Sequence, residues 1–328
     1  MNVLLTLLGF LLGLLVITLA GAWLSTLAIK RKVEALLPPK GRFVDVPGAR
    51  LHVREYGEGP AILMIHGLGG QLAHFSYAVA PQLAGRFRVV AVDRPGSGWS
   101  TAAGSADLAS QATALAALID RLALGRPLVV GHSLGGAVAL ALALDHPDKL
   151  SGLALLAPLT HMPEGGRVPA VFKGLMIRPP LLRKLVAWTL ATPRSISKSA
   201  QTLEQVFGPD AVPKDFGMRG AGLLSLRPAA YLAASADLQA LPDALPAQQE
   251  RYGTLRLPLG ILFGRDDRIL DWRFHGQALA GKVAGAQLEL IDGGHMLPVT
   301  RPDACVGFIG EMAQASGLTR GGAQDAVA

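Results

Sequence analysis

The stretch Leu128-Val129-Val130-Gly131-His132-Ser133-Leu134-Gly135-Gly136 constrains this chain most tightly. An apolar β-type run passes through a glycine to Ser133 and enters at once the alanine-rich helical pattern Ala137 to Leu144. A serine in so sharp a turn needs neighbours without side chains, because strand and helix crowd together there, and Gly131-x-Ser133-x-Gly135 supplies them. Such an elbow presents Oγ at the end of a strand and leaves N–H groups free at the helix start. In acyl transfer a preorganised donor facing the developing oxyanion is worth about 3 kcal/mol. On these residues alone, a glycine-flanked serine in an ordinary βα turn reads the same way.

The flanking sequence places that turn in an α/β frame. Arg42 to Val46 and Arg50 to Tyr56 alternate in the β manner around Pro47-Gly48-Ala49, as a hairpin does. Ala61 to Ile65 is a continuous apolar run, the pattern of a buried parallel strand. A helix from His74 to Leu83, a strand from Arg88 to Val92 and a helix from Asp107 to Leu122 follow. Strands at Pro127 to Val130 and Leu153 to Leu156 flank the elbow helix, which ends near His146-Pro147. The alternation resumes with Leu257 to Gly264, a helix over Asp271 to Val283, a strand over Gln287 to Ile291 and a helix over Pro302 to Ala315. This order predicts a mostly parallel sheet with helices on both faces and its site at the strands' carboxyl ends.

Between Pro158 and Arg256 the strand pattern stops, and a proline-punctuated, amphipathic helical segment reads as an inserted cap. Leu175-Met176-Ile177, Leu181-Leu182, Leu185-Val186 and Trp188 to Leu190 carry its apolar surface. Arg167, Lys173, Arg178, Arg183, Lys184, Arg194 and Lys198 have only Glu164 as a nearby acid. These cations either wet a face over an apolar core, the commoner use of a charge run, or rest on anionic headgroups.

Val3 to Ile29 carries no charge, and a helix of that length rises about 40 Å, more than the roughly 30 Å hydrocarbon core. No basic residue precedes it, unlike a cleaved signal peptide, although Ala20-Gly21-Ala22 leaves cleavage open. Lys30, Arg31 and Lys32 follow, so the positive-inside rule puts the remainder in the cytoplasm, with a single-pass anchor at residues 1–32. Pro38-Pro39-Lys40-Gly41 closes a linker at 33–41. The formal charge of +7 fits an anionic membrane, whereas no aromatic-interleaved basic stripe supports nucleic acid. Cys305 is the single cysteine, which excludes an internal disulfide framework, and the eight histidines lack metal-ligand spacing.

An elbow serine needs a base, and the base needs an orienting acid. Ile291-Asp292-Gly293-Gly294-His295 leaves a strand, as does Gly264-Arg265-Asp266-Asp267-Arg268, and the order Ser, Asp, His is the one associated with this elbow. With His66-Gly67-Leu68-Gly69-Gly70, Asp93 to Gly98, Gly131 to Gly135 and Gly294-His295 in sequence, the chain resembles the α/β-hydrolase superfamily over about Arg42 to Ala315. The resemblance implies an α/β-hydrolase fold with a core at 42–158 and 257–316 and a helical cap at 159–256, and the small and polar composition of 317–328 predicts a disordered tail. The resemblance also implies a triad of Ser133, Asp267 and His295, with an oxyanion hole formed by the backbone N–H groups of Leu68 and Leu134. Asp266 is the alternative acid; His66 and His132 fall where the family uses histidine structurally, and Trp99 either packs its loop or lines the pocket.

Haloalkane dehalogenases and soluble epoxide hydrolases carry Asp at the elbow, where this chain has Ser133. No G-x-G-x-x-G or P-loop spacing is present, and neither a cofactor nor a metal is implied. The expected function is a membrane-anchored serine hydrolase of carboxylic esters, lipid or otherwise apolar in the acyl part. A meta-cleavage-type carbon–carbon bond hydrolase would use the same triad, and its acid loop is similar to Gly264 to Arg268. A perhydrolase or an aminopeptidase would use it as well. From another class, a catalytically idle membrane-tethered binding module would not need all three residues.

Overall fold

The continuous apolar runs form the middle of a sheet. The computed structural model describes residues 2–102, 104–163 and 170–318. Its strands are β1 (Arg42–Val46), β2 (Ala49–Tyr56), β3 (Ala61–Ile65), β4 (Arg88–Val92), β5 (Thr101–Ala102), β6 (Leu128–His132), β7 (Gly152–Leu156), β8 (Leu259–Gly264) and β9 (Gln287–Ile291). They lie in the order β1-β2-β4-β3-β6-β7-β8-β9, with the short β5 paired to β2. The hairpin edge is antiparallel and every pairing from β4 to β9 is parallel.

Strands β3, β6, β7 and β8 are buried at every position, so both faces of the sheet require cover. The two-residue side-chain period divides the cover cleanly. Leu63, Ile65, Val129 and Leu155 pack beneath the helices Leu108–Arg121 and Leu134–Asp145. Ile62, Met64, Val130 and Ala154 pack beneath Val79–Leu83 and Pro302–Ala315. The elbow helix Leu134–Asp145 is apolar on all sides because it is enclosed on all sides. The cap contains Pro180–Thr189, Ala191–Ser197, Ser199–Phe207 and the long Pro228–Glu250.

The first helix, Asn2–Leu36, is long and apolar enough to cross a membrane by length and composition, and no residue of its apolar window is buried in the body. It runs four residues beyond the expected anchor end at 32, since Val33 is buried against Ala221 and Leu224 and keeps the chain helical until the two prolines. The helix expected over His74 to Leu83 is two pieces, Ala73–Ser76 and Val79–Leu83, because Ala78 leaves helical geometry at φ −151°. Of the tail expected at 317–328, Gly317 and Leu318 are ordered. Leu318 N–H donates to the Ala313 carbonyl at 2.8 Å and its side chain meets the second core; the remainder lies outside the described residues, as do Glu164 and Arg167.

Candidate active site

The turn after β6 puts Ser133 at φ 55° and ψ −122°, a conformation that costs a non-glycine residue about 1–3 kcal/mol. The surroundings hold it there. A methyl on Gly131 would meet the Gly135 carbonyl at 2.6 Å, and one on Gly135 would run into the Ile65 carbonyl, so strand and helix close only around glycine. The Leu156 carbonyl accepts the Ser133 N–H at 3.0 Å and ties the elbow to β7.

Ser133 Oγ lies 2.9 Å from His295 Nε2, and His295 Nδ1 lies 2.7 Å from Asp267 Oδ2. A carboxylate can only accept, so Nδ1 carries the proton and Nε2 is left to accept from the serine hydroxyl. Asp267 follows β8 and its side chain is fully buried. Its Oδ1 accepts the N–H groups of Ile269 at 2.7 Å and Leu270 at 2.9 Å, which support its charge away from water. Asp266 is exposed and turned away; only its backbone takes part, donating to the Gly293 carbonyl at 3.1 Å.

Leu134 opens the elbow helix and Leu68 lies in the turn after β3. Both N–H groups are left without a protein acceptor among the described residues, and both residues line the Ser133 cavity. His66 is neutral and structural: its Nε2 accepts the Arg94 N–H at 3.0 Å while its Nδ1 donates to the Gly67 carbonyl at 2.8 Å. Burial and then the Arg94 charge hold its pKa well below the usual histidine range. His132 Nε2 donates to the His295 carbonyl at 2.9 Å, and its burial, followed by the nearby His295, depresses its pKa in the same way. Trp99 packs under the Arg227 guanidinium, 4.4 Å from its ring centre, and stays out of the cavity wall. Cys305 is fully buried, and its thiol is pushed up beyond physiological titration.

A polar tie behind the site carries little signal in the sequence. The fully buried Arg94 donates to the His66 carbonyl at 2.9 Å and the Gly67 carbonyl at 3.1 Å. It also reaches Gln111 Oε1 at 2.7 Å and, from the cap, Asp237 Oδ2 at 2.8 Å. One guanidinium thus fixes the carbonyls around Leu68 and fastens the long cap helix above them. Arg94 falls within the turn that carries the family likeness, but Asp237 sits in a cap helix 143 residues away with no local signal. A second tie, from cap residue Asp210, reaches Gly294 N–H at 3.3 Å and Arg301 at 2.6 Å and steadies the His295 loop.

Above Ser133 lies a cavity of about 980 Å³, walled mainly by apolar side chains such as Leu203, Val206, Phe216, Leu223 and Leu238. Its volume suits a large apolar ligand. Among the described residues no cluster of His, Cys, Asp or Glu is arranged to hold a metal ion.

A family model described as the alpha/beta hydrolase fold matches residues 60–302. The lipase LipV of Mycobacterium tuberculosis is 38% identical over 136 residues, covering 40% of this chain and 50% of the lipase. The 2-hydroxy-6-oxo-6-phenylhexa-2,4-dienoate hydrolase of Burkholderia cepacia is 26% identical, covering 74% of this chain and 82% of that one. Among solved structures, a thermophilic esterase of Thermogutta terrifontis superposes with a TM-score of 0.70 at 23% identity, over 84% of this chain and 99% of the esterase.

Proposed function

The chain belongs to the α/β-hydrolase family, and within it we propose a membrane-anchored serine hydrolase that cleaves carboxylic esters with apolar acyl groups. The observation that carries this reading is the row Ser133–His295–Asp267 opening into an apolar cavity beside two free N–H groups. His295 Nε2 takes the proton of Ser133 as Oγ attacks the ester carbonyl. Asp267 holds the ring in the productive tautomer and stabilises the imidazolium. The oxyanion lies against the N–H groups of Leu68 and Leu134. His295 then passes its proton to the leaving alcohol, and a water deprotonated by His295 hydrolyses the acyl-enzyme.

The uncharged helix ahead of Lys30 is the anchor, and its basic flank favours a cytoplasmic body. The dienoate hydrolase relative keeps carbon–carbon bond hydrolysis as a second reading. A dienoate is an anion, however, and among the described residues Lys214 is the sole lysine or arginine along the cavity wall, exposed at its rim. That lining favours a neutral, apolar ester.

Labelling of membrane fractions with a serine-reactive fluorophosphonate, in competition with acyl esters of graded length, tests the reading. Wild type labels and is protected by long acyl esters, while Ser133→Ala does not label and loses on the order of 10⁶ in kcat. Hydrolysis by Ser133→Ala at the wild-type rate defeats the mechanism. A wild type that binds esters without turning them over makes the protein an idle binding module.

A further inference from the structure

The anchor helix is fastened rigidly to the body. Leu19, Ala22, Thr26, Ile29 and Val33, at spacings of three and four, form the stripe that is covered. Trp23 meets Trp188 of the cap helix Pro180–Thr189, with ring centroids 6.4 Å apart. Further along, Glu34 lies 3.6 Å from Arg227, which stacks on Trp99. Only Val3 to Thr18 stands fully clear of the body. Sixteen residues rise about 24 Å, short of the roughly 30 Å hydrocarbon core, and any tilt widens the shortfall. Completing the span draws in the next turn of helix, the one alongside Trp188.

The cap carries the matching surface at that level. Leu181 is 82% exposed, and Leu182, Leu185, Leu190 and Ile196 are also exposed, on two consecutive helices that both pack against the anchor. A soluble surface scatters such residues singly; a contiguous set beside a span needs a partner. From Ala170 to Leu203 the chain has six cations and no acid, and among the described residues none of the six forms an ion pair. Ile196, Ser199 and Leu203 of the same region also line the cavity over Ser133.

We propose that the exposed leucine face of residues 181–196, with its unpaired cations, docks on the anionic bilayer surface beside the anchor, so that a lipid ester passes from the membrane into the Ser133 cavity. This rests on the anchor reading above. The leucines enter the acyl boundary, Trp23 and Trp188 lie at the headgroup level, and the cations meet phosphates. The cavity mouth then opens toward the leaflet, and the substrate's acyl chain need not cross water.

The full chain carrying Cys305→Ala, with a single bimane-labelled cysteine, is reconstituted in phosphatidylcholine vesicles containing phosphatidylglycerol and spin-labelled lipid. Labels at Leu181→Cys and Leu185→Cys are quenched by shallow acyl spin labels, at Phe10→Cys by deep ones, and at Glu58→Cys, on the opposite end of the sheet, by neither. If positions 181 and 185 behave like 58 while position 10 is quenched, the docking is wrong and the anchor stands. If position 10 also stays unquenched, the anchor reading itself fails and takes the docking with it. In parallel, Leu181→Asp/Leu185→Asp hydrolyses a long-chain ester in the vesicles at least about tenfold more slowly, with unchanged turnover of a water-soluble short ester. Equal rates for variant and wild type on the vesicle substrate overturn the delivery route.

Discussion

The carboxyl edge of the sheet and the cap above it are built by opposite rules. At the edge, Ser133, His295 and Asp267 come from three different strand ends, and each is fixed by backbone hydrogen bonds or buried charge. In the cap, the contacts around the cavity are mostly apolar and tolerant, and much of the outer surface is exposed leucine and lysine or arginine. On the proposed function, chemistry that depends on tenths of an ångström would sit where little can shift, whereas selection among acyl chains would sit where side chains can be exchanged. The two regions meet at Arg94 and Asp237, which makes that ion pair the point where the contrast can be tested.

The largest difference should appear at the edge. Asp267→Asn removes the partner that sets the His295 tautomer and should lower kcat by about 10⁴-fold with folding retained, while Asp266→Asn stays near wild type in the same assay. Reversal of the two would place the acid elsewhere. Next, Asp237→Ala leaves the buried Arg94 guanidinium uncompensated; chemical denaturation should show a loss of about 3–5 kcal/mol, with the replacement of both residues by apolar ones milder than the single change. A stability unchanged by Asp237→Ala would mean that core and cap are not joined there.

Within the cap, Leu203→Trp fills part of the cavity and should raise KM for long acyl esters, shifting kcat/KM between long and short substrates by about 10–100-fold while kcat on the short ones holds. A uniform loss across chain lengths would instead show that the cap supports the chemistry. The smallest effect, taken per residue and per pH unit, is that of pH on the scaffold histidines. His66 and His132 are held far below the usual value of 6.5, and His74 is lowered to about 4, each first by burial. The unfolded chain therefore takes up protons that the folded one refuses as pH falls below 6.5. Stability is full above that value and declines towards pH 4, at up to about 1.4 kcal/mol per pH unit for each histidine. Thermal melts between pH 7 and 5 would show it, and a melting temperature that rises over this interval would contradict the buried neutral state.

Much of the edge is legible in the sequence because its signals are local. Apolar runs such as Ala61–Ile65 and glycine-flanked turns such as Gly131 to Gly135 state both strand and turn within a few residues. The cap is less legible because its order is tertiary. Pro242 and Pro246 read as breaks, yet Pro228–Glu250 runs through both, since Leu238, Leu241 and Leu245 are buried along one side and outweigh the lost backbone bonds. The two-residue β5 has no periodicity to read, whereas the break at Ala78 has a local cause that a helix drawn from His74 to Leu83 passes over, since Pro81 has no N–H for the Tyr77 carbonyl.

The elbow has a consequence for how such a chain can change over generations. The unusual backbone at residue 133 is imposed by its neighbours and by the tie to Leu156, with no capping hydrogen bond from the serine's own side chain. The position therefore acts as a socket. A single codon change there would exchange the proposed nucleophile while the frame survives, whereas any side chain at Gly131 or Gly135 destroys the frame and with it every chemistry the socket could host. Robustness and innovation are thus assigned to residues two apart in the chain.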